Sequence, residues 1–228
     1  MYATTLWARV ALFFSAALVP LPSSPSYEAI QIDPKYHIFQ AQAPIGKAVG
    51  TPNHAASISA NFYSYGLPIG VMVSNGKEVK SLQITKRRAT LVIRPNSVSI
   101  ELFTAAEAKA KLKSGEWNSA TVIQAGPLLV DDGKVVVMKQ QAIEEFRSDV
   151  YRTANHVAIG ITKAGKLIFL YSTGRNINEV AHLIQRLGVV DAIHCDSGSS
   201  AALIYRGKVF GSKYPRTMLM AMPMTKTK

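Results

Sequence analysis

Turn signals recur through most of this chain at intervals too short for anything but hairpins. Asn75-Gly76 follows the apolar run "IGVMVS", and Pro95-Asn96 separates "TLVIR" from "VSIELF". Asp131-Asp132-Gly133 separates "LLV" from "KVVVM", and the turn at Lys163 to Gly165 separates "HVAIGIT" from "KLIFLYS". Asn-Gly and Asp-Gly pairs adopt the positive φ that tight hairpin turns demand, so each pair predicts two antiparallel strands. "SISANFY" (Ser57 to Tyr63) alternates apolar and polar residues and reads as a further strand.

Two helices interrupt this pattern. Thr104 with Glu107 is a capping-box signature that opens "AAEAKAKLK", and Ser114-Gly115 ends it. "INEVAHLIQRL" follows Asn176, places Ile177, Val180, Ala181, Ile184 and Leu187 on one face, and stops at Gly188. Glu179, three residues after Asn176, reads as a capping residue. "VVDAIHC" then begins a strand, so the order from "KLIFLYS" to "VVDAIHC" predicts a right-handed strand–helix–strand crossover with parallel pairing. The expected fold is α+β: a mixed, largely antiparallel sheet with few helices and that one crossover near the C-terminus. No internal repeat and no linker divides residues 27–228, which are expected to form one domain.

The N-terminus has the layout of an export signal: Arg9, the apolar run "VALFFSAALV", and small residues up to a cleavage point after Ser26. The run is shorter than the about 20 residues of a membrane span. Residues 1–26 are therefore expected to be a signal peptide or an N-terminal anchor, which tethers the chain to a membrane if uncleaved. Either way the folded part is expected to work in the periplasm or outside the cell.

Charge narrows the partners. With 26 Lys and Arg against 14 Asp and Glu the chain carries +12, which favours anionic partners: nucleic acid, envelope polymers or phosphate-bearing small molecules. The basic residues are scattered, as in Lys86-Arg87-Arg88, without a long block interleaved with aromatics, so no specific nucleic-acid binding is expected. Cys195 stands alone, which excludes an internal disulfide and a cysteine zinc site, and at the end of an apolar strand it reads as packed. No Asp/His cluster has metal-ligand spacing, and neither a metal nor another cofactor is expected.

"AIHCDSGSS" (Ala192 to Ser200) ends an apolar strand in a carboxylate and continues as a small, hydroxyl-rich loop. One reading is a site at the carboxyl edge of a sheet, with Gly198 and nearby N–H groups forming an anion nest. The other is a plain turn in which Asp and Ser bond their own backbone. "CDSG" is also similar to the nucleophile region of trypsin-type proteases, but no "AAHC" context accompanies it, and "GSSAA" is not a GxSxG elbow.

Several segments, taken in order, give a more specific resemblance. "ANFYSYGLPIGVMVSNGKEV", "VIQAGPLLVDDGKVV", "HVAIGITKAGKLIFLYS" and "INEVAHLIQRLGVVDAIHCDSGSSAALIY" resemble successive motifs of the phosphodiester glycosidase (uncovering-enzyme) family, and "VIRPNSVSI" is similar to a segment of its smaller bacterial branch. The resemblance spans about residues 57 to 222. Three positions depart from the family's pattern. Phe62-Tyr63 replace a Gly pair, Asp196-Ser197-Gly198-Ser199 replaces Asp-Gly-Gly-Gly, and His156 stands where the family has Arg, with Arg152 just upstream.

The resemblance implies hydrolysis of a sugar-1-phosphodiester at the anomeric carbon, on a carbohydrate substrate of the envelope or of exopolysaccharide. Such a reaction passes through an oxocarbenium-like state that a carboxylate stabilises or attacks. The leaving phosphate monoester is a weak base and needs cationic neutralisation more than a strong acid. Asp196 is then the candidate nucleophile or electrostatic stabiliser. Arg216 is the candidate phosphate clamp, with His156 or Arg152 beside it. Asn61 would hold sugar hydroxyls or orient Asp196, while Gly198, Ser199 and Ser200 would line the loop. The alternative is a non-catalytic carbohydrate- or polyanion-binding module on the same fold.

Overall fold

The computed structural model describes residues 18–21, 23–43, 56–82 and 86–224. Residues 1–17, with Arg9 and most of the apolar run of the expected export signal, lie outside them. The described chain starts with β1 (Leu18–Pro20), β2 (Tyr27–Ile32), β3 (His37–Gln42) and β4 (Ala56–Ser59). Short hairpins follow: β5 (Tyr63–Ser64) with β6 (Leu67–Pro68), then β7 (Met72–Ser74) with β8 (Lys77–Val79). The longer hairpin of β9 (Arg88–Arg94) and β10 (Ser97–Phe103) leads into α1 (Ala105–Lys113). Next come β11 (Thr121–Gln124), β12 (Leu128–Asp131), β13 (Lys134–Val135) and α2 (Val137–Glu144). β14 (Ala154–Thr162), β15 (Leu167–Arg175), α3 (Ile177–Arg186) and β16 (Val189–Ser197) form the long central unit. β17 (Ala202–Tyr205), β18 (Lys208–Gly211) and β19 (Met218–Pro223) complete the chain.

The strands make three main sheets, in the orders β1-β2-β15-β14-β16-β12-β13, β10-β9-β11-β7-β8 and β18-β17-β4-β19-β3. Every ladder between these named strands is antiparallel. A parallel bridge joins Ile69 and Leu82 outside them. The four turn pairs read from the sequence all close hairpins, and at Asn75 (φ 49°) and Gly76 (φ 79°) both central residues take the left-handed conformation of a primed turn.

The crossover from β15 through α3 to β16 is present, but direct parallel pairing is not. The tight turn between β14 and β15 commits one edge of β15 to β14, and β2 takes the other edge. β16 therefore adds beyond β14, so β15 and β16 run in the same direction with β14 between them. A second difference concerns "KVVVM". β13 pairs only over Lys134–Val135, and α2 begins at Val137, which is buried in the same apolar cluster as Ile177, Val180 and Ala181 of α3. Packing against α3 overrides the strand preference of the valines.

β14 is buried on both faces and uses them unequally. Val157, Ile159 and Ile161 enter the central core shared by the sheets, while Ala158 faces the cluster under α3. Gly160 lies on that helix side too, where a Cβ would meet the side chains of Val189 and Ile184. Small residues on one face thus let α3 dock closely on the sheet. Capping boxes open both α1 and α3: Asn176 Oδ1 accepts from the Glu179 amide (3.0 Å) while the Glu179 carboxylate accepts from the Asn176 amide (2.8 Å). Glu179 is a capping residue.

Candidate active site

A β-bulge lies beside Asp196. His156 of β14 faces Ser197 and Ala158 faces His194, so two steps along β14 correspond to three along β16. The extra residue lies at Cys195-Asp196, and bulges are frequent next to sites. Cys195 turns into the central core, and Asp196 lines a cleft of about 700 Å³. Asp196 is only 5% exposed. Burial pushes its carboxyl up to about 6, against the opposing pull of the Ser200 hydroxyl and the Ser197 amide, which donates to Oδ1 at 2.8 Å. At neutral pH it is an anion held ready in a poorly hydrated position.

The cleft brings Asp196 together with Arg152, Arg216, Ser199 and Ser200. Arg152 follows a single 3-10 turn (Ser148–Tyr151), and its Nη2 stands 3.3 Å from where a Cβ on Gly198 would lie. Gly198 has φ +78°, so the absence of a side chain serves both the backbone and the arginine. The Arg216 guanidinium lies 5.7 Å from the centre of the Tyr63 ring. Among the described residues no carboxylate lies within 4.0 Å of Arg152 or Arg216. Asp196 and two guanidiniums without an ion pair among the described residues therefore face the same space, beside Glu145, Asp149, Arg88 and Arg147, an arrangement suited to an anionic ligand.

Two sequence candidates sit elsewhere. Asn61 is fully buried, and its Nδ2 donates to the carbonyls of Gln124 (2.7 Å) and Ile69 (3.2 Å). It braces the start of the Phe62–Ser64 segment, which lines the cleft, and is not itself on the lining. His156 is also fully buried. Its Nε2 donates to the Arg152 carbonyl (3.2 Å), and its Nδ1 lies 2.9 Å from Nε2 of His194. Burial holds both imidazoles below the ordinary histidine range, so His156 positions the Arg152 loop as a neutral ring.

Other residues at the cleft escaped sequence reasoning. Arg88 lines it from the first position of β9, and its guanidinium lies 3.8 Å from the centre of the Phe146 ring. Gln124 forms part of the wall, its Oε1 accepting from Val71 and its Nε2 donating to Phe103. Glu144, fully buried at the end of α2, accepts from the amides of Ala89 (2.9 Å) and Leu128 (2.7 Å). Burial raises its carboxyl to about 7. It ties β9 to the start of β12, which belong to different sheets.

The model of the phosphodiester glycosidase family matches residues 48–221, which include β4 to β18 and every residue placed above at the cleft. The chain belongs to the phosphodiester glycosidase family. Its fold agrees with that membership. The catalytic domain of zebrafish N-acetylglucosamine-1-phosphodiester alpha-N-acetylglucosaminidase, solved in a form auto-inhibited by its pro-peptide, superposes with a TM-score of 0.70 at 17% identity. That match covers 91% of this chain and 82% of that one. A hypothetical protein from Synechocystis matches with a TM-score of 0.58 at 13% identity, over 90% of this chain and 61% of its own. A Burkholderia pseudomallei protein matches with a TM-score of 0.60 at 13% identity, over 86% and 74%. At these identities the likenesses establish the fold of this phosphodiester glycosidase family member. No curated protein matches the chain in sequence.

Proposed function

We propose that the protein hydrolyses a sugar-1-phosphodiester at the anomeric carbon. One observation carries the reading: a buried Asp196 shares its cleft with Arg152 and Arg216, neither of them paired with a carboxylate among the described residues. The two guanidiniums bind the phosphodiester and neutralise the phosphate monoester as the C1–O bond breaks. The Asp196 carboxylate faces the anomeric carbon and stabilises or captures the oxocarbenium-like centre, and water completes the transfer to give the free sugar. Ser199 and Ser200 hold sugar hydroxyls, Gly198 leaves room for Arg152, and Asn61 and His156 position the cleft walls from behind the lining.

The working place we propose is the periplasm or the cell exterior, on envelope or exopolysaccharide sugars. The composition of residues 1–26 supports it. Part of that segment, β1, is the edge strand that pairs with β2, so cleavage after Ser26 would remove β1 and leave β2 at the edge. Turnover of a chromogenic sugar-1-phosphodiester by purified protein, with Asp196→Asn as control, tests the reaction. Turnover that needs Asp196 supports it. Sugar binding without turnover would instead make the chain a carbohydrate-binding module on this fold.

A further inference from the structure

Four arginines, Arg88, Arg147, Arg152 and Arg216, line the cleft beside three carboxylates, Glu145, Asp149 and Asp196, and Glu145 is already paired with Lys86. Arg152 lies over Gly198 and belongs to the Asp196 end. Arg88 comes from another sheet. Its guanidinium stacks on Phe146, Phe146 packs on Phe62 with centroids 5.9 Å apart, and Phe62 packs on His194 at 5.4 Å. Arg88 thus reaches the cleft from a different element than Arg152 and is linked through two rings to the strand that carries Asp196.

Arg88 also forms no direct ion pair where its neighbours do, and Glu144 and Glu145 act on it only from a longer distance. Lys86 pairs with Glu145 at 2.7 Å and Arg87 with Glu107 at 2.8 Å. Glu144, the carboxylate next to Arg88, is already bonded to two backbone amides. Among the described residues no carboxylate lies within 4.0 Å of Arg88, and its Nη1 is buried with no hydrogen-bond partner. A guanidinium remains charged in any protein environment, and leaving it half-desolvated and unpaired is costly unless an anion completes it. The Phe146 ring offsets part of that cost but accepts no hydrogen bonds in the guanidinium plane.

We propose that Arg88 is the centre of a second anion subsite, so that the cleft takes a ligand bearing a further phosphate or carboxylate beyond the scissile phosphodiester. The subsite deepens the proposed function, since the first phosphate is the one held by Arg152 and Arg216, but binding alone tests it. Calorimetric titration of the full protein with hexyl phosphate, a six-carbon diol bisphosphate and a phosphorylated six-carbon hydroxy acid separates one anion from two. The bisphosphate should bind at least about tenfold more tightly than hexyl phosphate, the size expected of a charge-assisted hydrogen-bonded pair. In Arg88→Gln this ratio should fall to about twofold or less. A matching gain for the hydroxy acid would assign the subsite to carboxylates as well, and a gain for the bisphosphate alone would assign it to phosphate. Equal binding of hexyl phosphate and bisphosphate by the unmodified protein would overturn the proposal, as would a ratio that survives in Arg88→Gln. Both results are read without turnover, so they stand apart from any failure of the hydrolysis assay.

Discussion

Arg152 crowds the place a side chain on residue 198 would take: its Nη2 lies 3.3 Å from the Cβ position of Gly198. Gly198→Ala should therefore displace the guanidinium as well as strain a backbone at φ +78°, at a cost to stability of about 1–2 kcal/mol. KM for a sugar-1-phosphodiester should rise more than kcat falls, because the phosphate contact is weakened while Asp196 stays in place. Steady-state kinetics on the variant check this, and a selective loss of kcat would contradict the clamp role.

The buried carboxyl of Asp196 gives the activity an acid limb. Its folded pKa is about 6 against an ordinary value of 3.8, so kcat/KM should fall as pH drops through about 6. Stability runs the other way. As pH rises from about 4 the unfolded chain loses this proton first, so the contribution of Asp196 to stability declines until about pH 6. Asp196→Asn should accordingly be inactive yet more stable than the unmodified protein by up to about 3 kcal/mol at pH 8, with no gain at pH 4. Thermal melts at the two pH values read this difference.

Gly126→Ala should be severely destabilising, by about 3 kcal/mol or more. The added Cβ would stand 2.5 Å from Oε2 of Glu144 and 3.1 Å from the Phe146 ring, at a backbone φ of +121°. Because Glu144 also holds Ala89 and Leu128, the damage should spread to the cleft wall. Urea titration measures the loss, and a change under about 1 kcal/mol would mean that the turn relaxes freely.

Cys195 should be inert. It is fully buried, and burial, with the Asp196 charge beside it, raises its thiol far above the ordinary range. A thiol reagent should label the unfolded protein promptly and the native protein only at the rate of unfolding.

Local chemistry made much of this architecture readable from the chain. The hairpin turns, the capping boxes at Thr104–Glu107 and Asn176–Glu179, and the carboxylate at the end of "VVDAIHC" depend on residues close in sequence. What escaped depends on distant partners. The bulge at Cys195-Asp196 exists only against β14, about forty residues away. Lys86, Arg87 and Arg88 look alike in sequence, and only the carboxylates brought to the first two leave the third for the cleft. Asn61 and His156 have the right chemistry for a site, yet the Asn61 amide nitrogen is taken up by two backbone carbonyls and the His156 ring by the Arg152 carbonyl and His194. The helix α2 was hidden in a valine run whose packing on α3 outweighs its local preference.

Cleavage at the anomeric carbon is the central claim, and the position of the broken bond tests it most directly. Hydrolysis of a sugar-1-phosphodiester in heavy-oxygen water, followed by phosphorus NMR, reports whether solvent oxygen enters the phosphate. C1–O cleavage assisted by Asp196 predicts free sugar and a phosphate monoester carrying no heavy oxygen. Heavy oxygen in the phosphate, release of a sugar-1-phosphate, or the absence of any hydrolysis would contradict it.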